Sequence, residues 1–334
     1  MRNHLLLGLA AASLFACTTS SPGTPPSASA AAAPARDPKL VALDSMRAAV
    51  EAKDAHALAA LYADEAVVEP VGGQPQHGRA AIEAAAHAEL DPAESIRVGF
   101  SRVWIKGDLA VAEAVFHAKH PAASGVHDVG GSEISTMWFD RDGRIVRERS
   151  YSEQASLESQ AQGDSDADPI PELPTTTEVH VARDTTHDAE QIAWAQDTEA
   201  KNSASDEHTL ATLADPFRWD CALGFHGSSR DAFAKALAGY RTRFPDEKWV
   251  ATNVWPVEDY LIVEELFTGT HEGDMGPFKA SHRPVQWHWL EIWQMKDAKI
   301  AHGWSWANFD ELKSQIQLQP ENKRKPAAAC LVQP

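Results

Sequence analysis

The stretch Trp138–Glu153, WFDRDGRIVRERSYSE, returns at Trp293–Asn308 as WQMKDAKIAHGWSWAN, displaced by 155 residues without a gap. Trp138 and Trp293, Asp142 and Asp297, Ile145 and Ile300, and Ser150 and Ser305 are identical pairs, and the register continues to Gln162 and Gln317. Each copy reads as strand, turn and return strand, with Asp142-Gly143 or Asp297-Ala298 at the turn, Asp-Gly being a favoured two-residue hairpin signal. One fold is therefore written twice in this chain.

Outward from the repeat, the same order of elements appears on both sides. In the first copy Leu40, Leu43, Met46, Ala49 and Val50 follow a helical period, a short helix ends at Tyr62, a brief strand covers Ala66–Glu69, and RAAIEAAAHAEL forms a third helix. Four strand-like runs follow, near Ile96–Ile105, Leu109–Lys119, Glu133–Asp140 and Arg144–Glu153. The second copy gives helix Ala189–Asn202, a short helix to Leu213, strand Phe217–Ala222, helix Asp231–Arg243, and strands near Lys248–Val257, Leu261–Thr270, Val285–Lys296 and Lys299–Asn308. Helices first and antiparallel strands after is an α+β pattern.

The ends carry other information. Arg2 and His4 precede an apolar run, Leu5–Leu14, that is too short to span a membrane and has the layout of a secretory signal. Leu14-Phe15-Ala16-Cys17 resembles the lipobox of bacterial lipoproteins, which implies lipidation of Cys17 and cleavage before it; an ordinary signal cut near Ala16 is the alternative. The expected organisation is a signal and lipobox (1–17), a Ser/Pro/Ala-rich tether (18–36), a first domain (37–162), a linker (163–185), a second domain (186–318) and a tail (319–334). The implied setting is the bacterial cell envelope, lipid-anchored, at an outer membrane facing the periplasm or the exterior. A net charge of −18 argues against nucleic acid, which is bound through clustered cations. With Cys17 committed to lipid, only Cys221 and Cys330 remain, and their pairing is open.

YADEAVVEP followed by HGRAAI in the first copy, and RFPDEKW, FTGTHEG and LEIWQMKDAKIAHGW in the second, resemble the SnoaL-like members of the NTF2-like superfamily. The resemblance implies two tandem cone domains, each a curved, mainly antiparallel sheet wrapped by about three helices around an apolar pocket. The two domains are expected to pack as a pseudo-dimer if the chain is a binding lipoprotein. Members include polyketide cyclases, ketosteroid isomerase-like proteins, dehydratases and non-catalytic binding domains, so the fold does not choose a function.

If the two-residue turns set the register, Glu291 stands opposite Trp304, and one face of the second hairpin carries Trp287, Trp289, Glu291, Trp293 and Met295 against Asn308, Trp306, Trp304, His302 and Ile300. A carboxylate among tryptophans is desolvated and its pKa should rise, which suits a general acid or base. Nine of the eleven tryptophans lie in the second copy, so the candidate site suits a small apolar or aromatic molecule, with Trp287, Trp289, Trp293, Trp304, Trp306, Asn308 and His302 as ligand contacts. The same face would equally serve to pack against the first copy or a helix, with Glu291 bonded to a buried partner.

In the first copy Glu153 occupies the place where the resembling family often keeps an acid after its closing strand, and is the second candidate catalytic residue. Arg149 shares its face and is expected to pair with it. His117, His120 and His127 do not fall on one strand face and lack accompanying ligands, so no metal is expected, and no cofactor. There is no GxSxG, P-loop or Rossmann glycine pattern. Three functions remain open: a lipoprotein binding a small apolar molecule in its second domain, a cofactor-free acid/base enzyme of cyclase, isomerase or dehydratase type, and a structural envelope protein.

Overall fold

The computed structural model describes residues 36–70, 73–122, 125–152, 157, 160–161, 169–203, 205–221, 226–275 and 278–317. The chain divides into two units between Asp184 and Thr185. In the first, α1 (Pro38–Glu51), α2 (Ala55–Ala59), β1 (Tyr62–Glu69), β2 (Gln76–His77) and α3 (Arg79–Leu90) precede β3 (Ser95–Lys106), β4 (Leu109–Ala122), β5 (Gly125–Phe139), β6 (Ile145–Ser152) and β7 (Glu178–Val181). In the second, α4 (Asp188–Asn202), α5 (Asp206–Thr212), β8 (Leu213–Cys221), β9 (His226–Gly227) and α6 (Arg230–Arg243) precede β10 (Lys248–Val257), β11 (Tyr260–Thr270), β12 (Pro284–Lys296), β13 (Lys299–Ala307) and α7 (Phe309–Ile316).

Local chemistry starts the helices where the sequence permits. The Asp37 side chain accepts from Lys39 N with Pro38 in the first turn, and Asp54, Ser205 and Ser229 cap α2, α5 and α6. The sheets run β2-β1-β6-β5-β4-β3-β7 and β10-β11-β12-β13-β8-β9. They are mainly antiparallel, with parallel pairs at β1/β6, β3/β7 and β13/β8. Helices cover one face of each sheet: Leu43, Met46, Val50, Ile82 and Leu90 pack with Ala110, Ala112, Phe116 and Met137 in the first.

Part of the expected linker belongs to the first sheet. The run EVHV alternates like a strand, and it takes the otherwise open edge of β3 as β7, where Thr177 Oγ1 donates to Phe100 O at 2.8 Å.

The hairpin register differs between the copies, and this corrects the expected grouping around Glu291. Both return strands carry a one-residue bulge at the same place in the repeat, Val146 in β6 and Ala301 in β13. In the first domain the turn is a five-residue loop rather than a two-residue one, because Asp140 Oδ1 accepts from the N–H groups of both Asp142 and Arg144. Loop and bulge together leave the body of the hairpin as expected, with Trp138 opposite Arg147 and Thr136 opposite Arg149.

In the second domain Asp297 (φ 50°) and Ala298 (φ 55°) form the tight two-residue turn, and the bulge then shifts every later pair by one. Glu291 faces Ser305, and Trp304 faces Ile292. A shift of one residue moves side chains to the opposite face, so Trp304, Trp306 and His302 leave the face that carries Glu291. By strand pairing, then, Trp293 corresponds to Met137 and not to Trp138, since each pairs with the residue at the same place in its return strand, Gly303 and Glu148.

Candidate functional site

In the second domain β12 presents Trp287, Trp289, Glu291 and Trp293 to the helix-covered face, next to Phe267, Glu265, Val263 and Leu261 of β11. Two apolar clusters occupy the ends of this face. One holds Ala195, Phe217, Trp219, Phe233, Leu261, Val263 and Trp293, and the other Phe244, Phe267, Trp287, Trp289, Leu312 and Ile316. Between them lies a polar belt.

Glu291 is the centre of that belt. Trp293 Nε1 donates to its Oε2 at 2.6 Å and Ser305 Oγ to its Oε1 at 2.9 Å, while Ser305 Oγ also accepts from Trp219 Nε1 at 2.8 Å. Burial pushes the Glu291 carboxyl up to about 7, and the Trp293 and Ser305 hydrogen bonds hold it from rising further. Glu199 of α4 and Glu265 of β11 complete the group. Burial raises both well above the usual carboxylate range, and charge on Glu291 raises them again; Glu199 also raises Glu265. Asn202 Nδ2 donates to Glu199 at 3.1 Å, whereas Glu265 Oε1 is buried and makes no hydrogen bond with the described residues.

Three carboxyls so placed share protons at neutral pH and titrate as a group. Chemically the belt can give a hydrogen bond while protonated, take a proton near neutrality, or neutralise a cation. Glu291 itself is half-buried, although the tryptophans on either side of it are buried.

The residues expected from the sequence are distributed as follows. Trp287 and Trp289 pack with Tyr240, Phe267, Phe244 and Trp249, ring centroids 4.1–6.5 Å apart, as a solid aromatic wall. Trp293 donates to Glu291 and meets Trp194 edge-on at 6.1 Å. On the opposite face His302 Nε2 lies 2.8 Å from Asp220 Oδ2, its ring stacked on Trp304 at 3.6 Å, and Trp306 is buried. Asn308 is the N-cap of α7, its N–H donating to His288 O at 2.9 Å. Cys221 lies half-buried on β8, paired with Ser305 across the β13/β8 pair. Glu153, Cys17 and Cys330 lie outside the described residues.

Glu199 and Glu265 were missed. Glu265 could have been found as an acid within the apolar run LIVEELF, on the same strand parity as Leu261 and Val263; Glu199 could not, because only helix packing brings it to the sheet.

The first domain has its own buried acids. Tyr62 Oη donates to Glu148 Oε2, Ser150 Oγ donates to Glu148 Oε1 at 3.4 Å, and Ser135 Oγ lies 2.8 Å from Ser150 Oγ and 3.4 Å from Glu133 Oε1. Burial and the neighbouring Glu148 push Glu133 up to about 7; burial also raises Glu148, against the hydrogen bonds from Tyr62, Ser135 and Ser150. Ser150 and Ser305 thus each bond a glutamate, buried Glu148 and half-buried Glu291, but the acid sits on the return strand in one domain and on its partner in the other. Arg149 and Arg147 both bond Glu69, and their charges hold its carboxyl low despite burial.

The SnoaL-like domain family matches residues 43–148, and the SnoaL-like polyketide cyclase family matches residues 200–316. Both halves of the chain are SnoaL-like domains. Among solved structures, the chain is similar to AclR of Streptomyces galilaeus, a proposed hydroxylase, at 22% identity over 40% of this chain and 84% of AclR, with a TM-score of 0.35. It is similar to a proposed SnoaL-like polyketide cyclase of Jannaschia sp. CCS1 at 15% identity over 39% and 95% of the two chains, TM-score 0.35. TsrD of Streptomyces laurentii gives 15% identity over 40% and 97%, TM-score 0.34. No curated protein matches the chain. The family matched by the second half is described as a polyketide cyclase family.

Proposed function

We propose that the second SnoaL-like domain binds a small, largely apolar or aromatic molecule against the helix-covered face of its sheet, with Glu291 meeting the molecule's polar group. The observation that carries this is a half-buried carboxyl, held by Trp293 and Ser305, between two aromatic-rich clusters. Trp287 and Trp289 then act as a rigid wall behind the ligand. Titration with aromatic compounds, followed by tryptophan fluorescence, should give saturable quenching that weakens at least about tenfold in Glu291→Gln, equivalent to about 1.4 kcal/mol. Equal affinity in that variant would remove Glu291 from the site.

A second reading is a cofactor-free proton-transfer enzyme of cyclase, isomerase or dehydratase type. It is favoured by the Glu291 carboxyl standing near 7, where a general base is most effective. Glu291→Gln would then abolish turnover with the fold intact; full activity in it would sink this reading.

For the N-terminus we propose lipidation of Cys17 and attachment to a bacterial envelope membrane, supported by the run Leu14–Cys17 and the Ser/Pro/Ala-rich tether behind it. Cys17→Ser should move the protein from the membrane to the soluble fraction. Wild type found wholly soluble would refute the anchor.

A further inference from the structure

Among the described residues, the belt of the second domain holds two buried carboxyls, Glu199 and Glu265, and the half-buried Glu291, with no basic side chain acting on them. The charges that shift Glu265 come from Glu199 and Glu291, and the charge that shifts Glu199 comes from Glu291. Arg241 pairs with Asp206 and Glu247, and Lys201 with Asp197. Of the other groups on this side, Tyr240 of α6 and Cys221 of β8 carry no positive charge, Glu247 adds a further acid, and the charge of Arg243 acts on Tyr240 and not on the three carboxyls.

Glu265 Oε1 is buried without a hydrogen bond to any described residue, directly across the β11/β12 pair from Trp289, whose Nε1 is buried and equally unbonded among them. A buried acceptor left unmatched costs about 1–3 kcal/mol, so a ligand donor at this point is strongly favoured. Trp289, across the strand pair from Glu265, packs with Tyr240 and Trp249, the three ring centroids 5.2–6.5 Å apart. Carboxyl oxygens with aromatic rings form a setting that recognises an ammonium group.

Resting on the small-molecule reading above, we propose that the ligand of the second domain is a hydrophobic amine, its ammonium held by Glu265, Glu291 and Glu199 and its apolar body against the aromatic wall. The sign of the pH dependence separates this from a neutral ligand. An ammonium of amine pKa near that of lysine stays charged from pH 6 to 8, while Glu291 loses its proton across this range. Amine affinity therefore rises with pH. A ketone or alcohol held by protonated glutamates would show the opposite slope.

The test uses three matched sets of probes, the benzyl, naphthylmethyl and anthracenylmethyl amines, alcohols and carboxylic acids, titrated by calorimetry into the protein at pH 6, 7 and 8. The expected result is that one amine binds at least about tenfold more tightly than its alcohol at pH 8, the factor that one unit of pKa depression on a carboxyl supplies. The preference should shrink at pH 6 and vanish in Glu265→Gln. The wild-type pH series needs no variant, so misfolding of Glu265→Gln leaves the inference testable. An alcohol binding as well as its amine at pH 8, or amine affinity that falls with pH, overturns the amine inference and leaves the binding site standing. No saturable binding by any of the nine probes at any pH counts against the small-molecule reading itself.

Discussion

Replacing Glu291 by glutamine should change how stability depends on pH. In the folded protein this carboxyl is raised from 4.5 to about 7, whereas in the unfolded chain it returns to the ordinary value. Between these two values the folded state holds a proton that the unfolded state has released, so stability falls as pH rises. The contribution is fully present below about pH 4.5 and lost as pH rises through about 7. A shift of this size corresponds to about 3 kcal/mol. Glutamine keeps the shape, accepts from Trp293 through its one carbonyl oxygen and turns its amide NH2 toward Ser305 Oγ, and cannot ionise. The variant also relieves Glu199 and Glu265 of a negative neighbour, which acts in the same direction. Urea unfolding of both proteins from pH 4 to 8, followed by tryptophan emission, gives the two stability curves. They should lie together at pH 4 and diverge by about 3 kcal/mol at pH 8, the variant being the more stable. Parallel curves across the range would refute the reasoning, because Glu291 would then titrate alike in both states.

Other substitutions test the packing that positions this carboxyl. A Cβ on Gly303 would lie 2.5 Å from Trp219 Cε3, and Trp219 is pinned by its bond to Ser305, so Gly303→Ala should cost roughly 1–3 kcal/mol in urea unfolding. Ser305→Ala removes the partner of both Trp219 Nε1 and Glu291 Oε1 and should cost roughly 1–3 kcal/mol by the same measurement. In the first domain Tyr62→Phe takes the hydroxyl donor from buried Glu148. It should cost roughly 1–3 kcal/mol at neutral pH and less at pH 4, where a protonated Glu148 accepts more weakly.

Much of the fold was legible because it rests on local signals. The period of Leu40, Leu43, Met46 and Val50 made α1, and the repeated closing run marked a hairpin in each half. The site was legible only in part. Glu291 stood out as an acid among tryptophans, and its raised pKa follows from burial as the sequence suggested. Its neighbours did not follow, because the face of Trp304 and Trp306 turned on a single bulged residue.

The sequence by itself determined the duplication, the α+β order, the closing hairpins and the unusual position of an acid in β12. These are properties of periodicity and short-range chemistry, which act within a few residues. Only the tertiary structure decided that Glu291 meets Ser305 instead of Trp304, that Glu199 on a helix and Glu265 on the adjacent strand join it, and that the first domain places Glu148 where the second has Gly303. A bulge at Ala301 reverses the facing of a strand for one residue of length, and electrostatic coupling between acids far apart in the chain exists only once packing has removed the water between them.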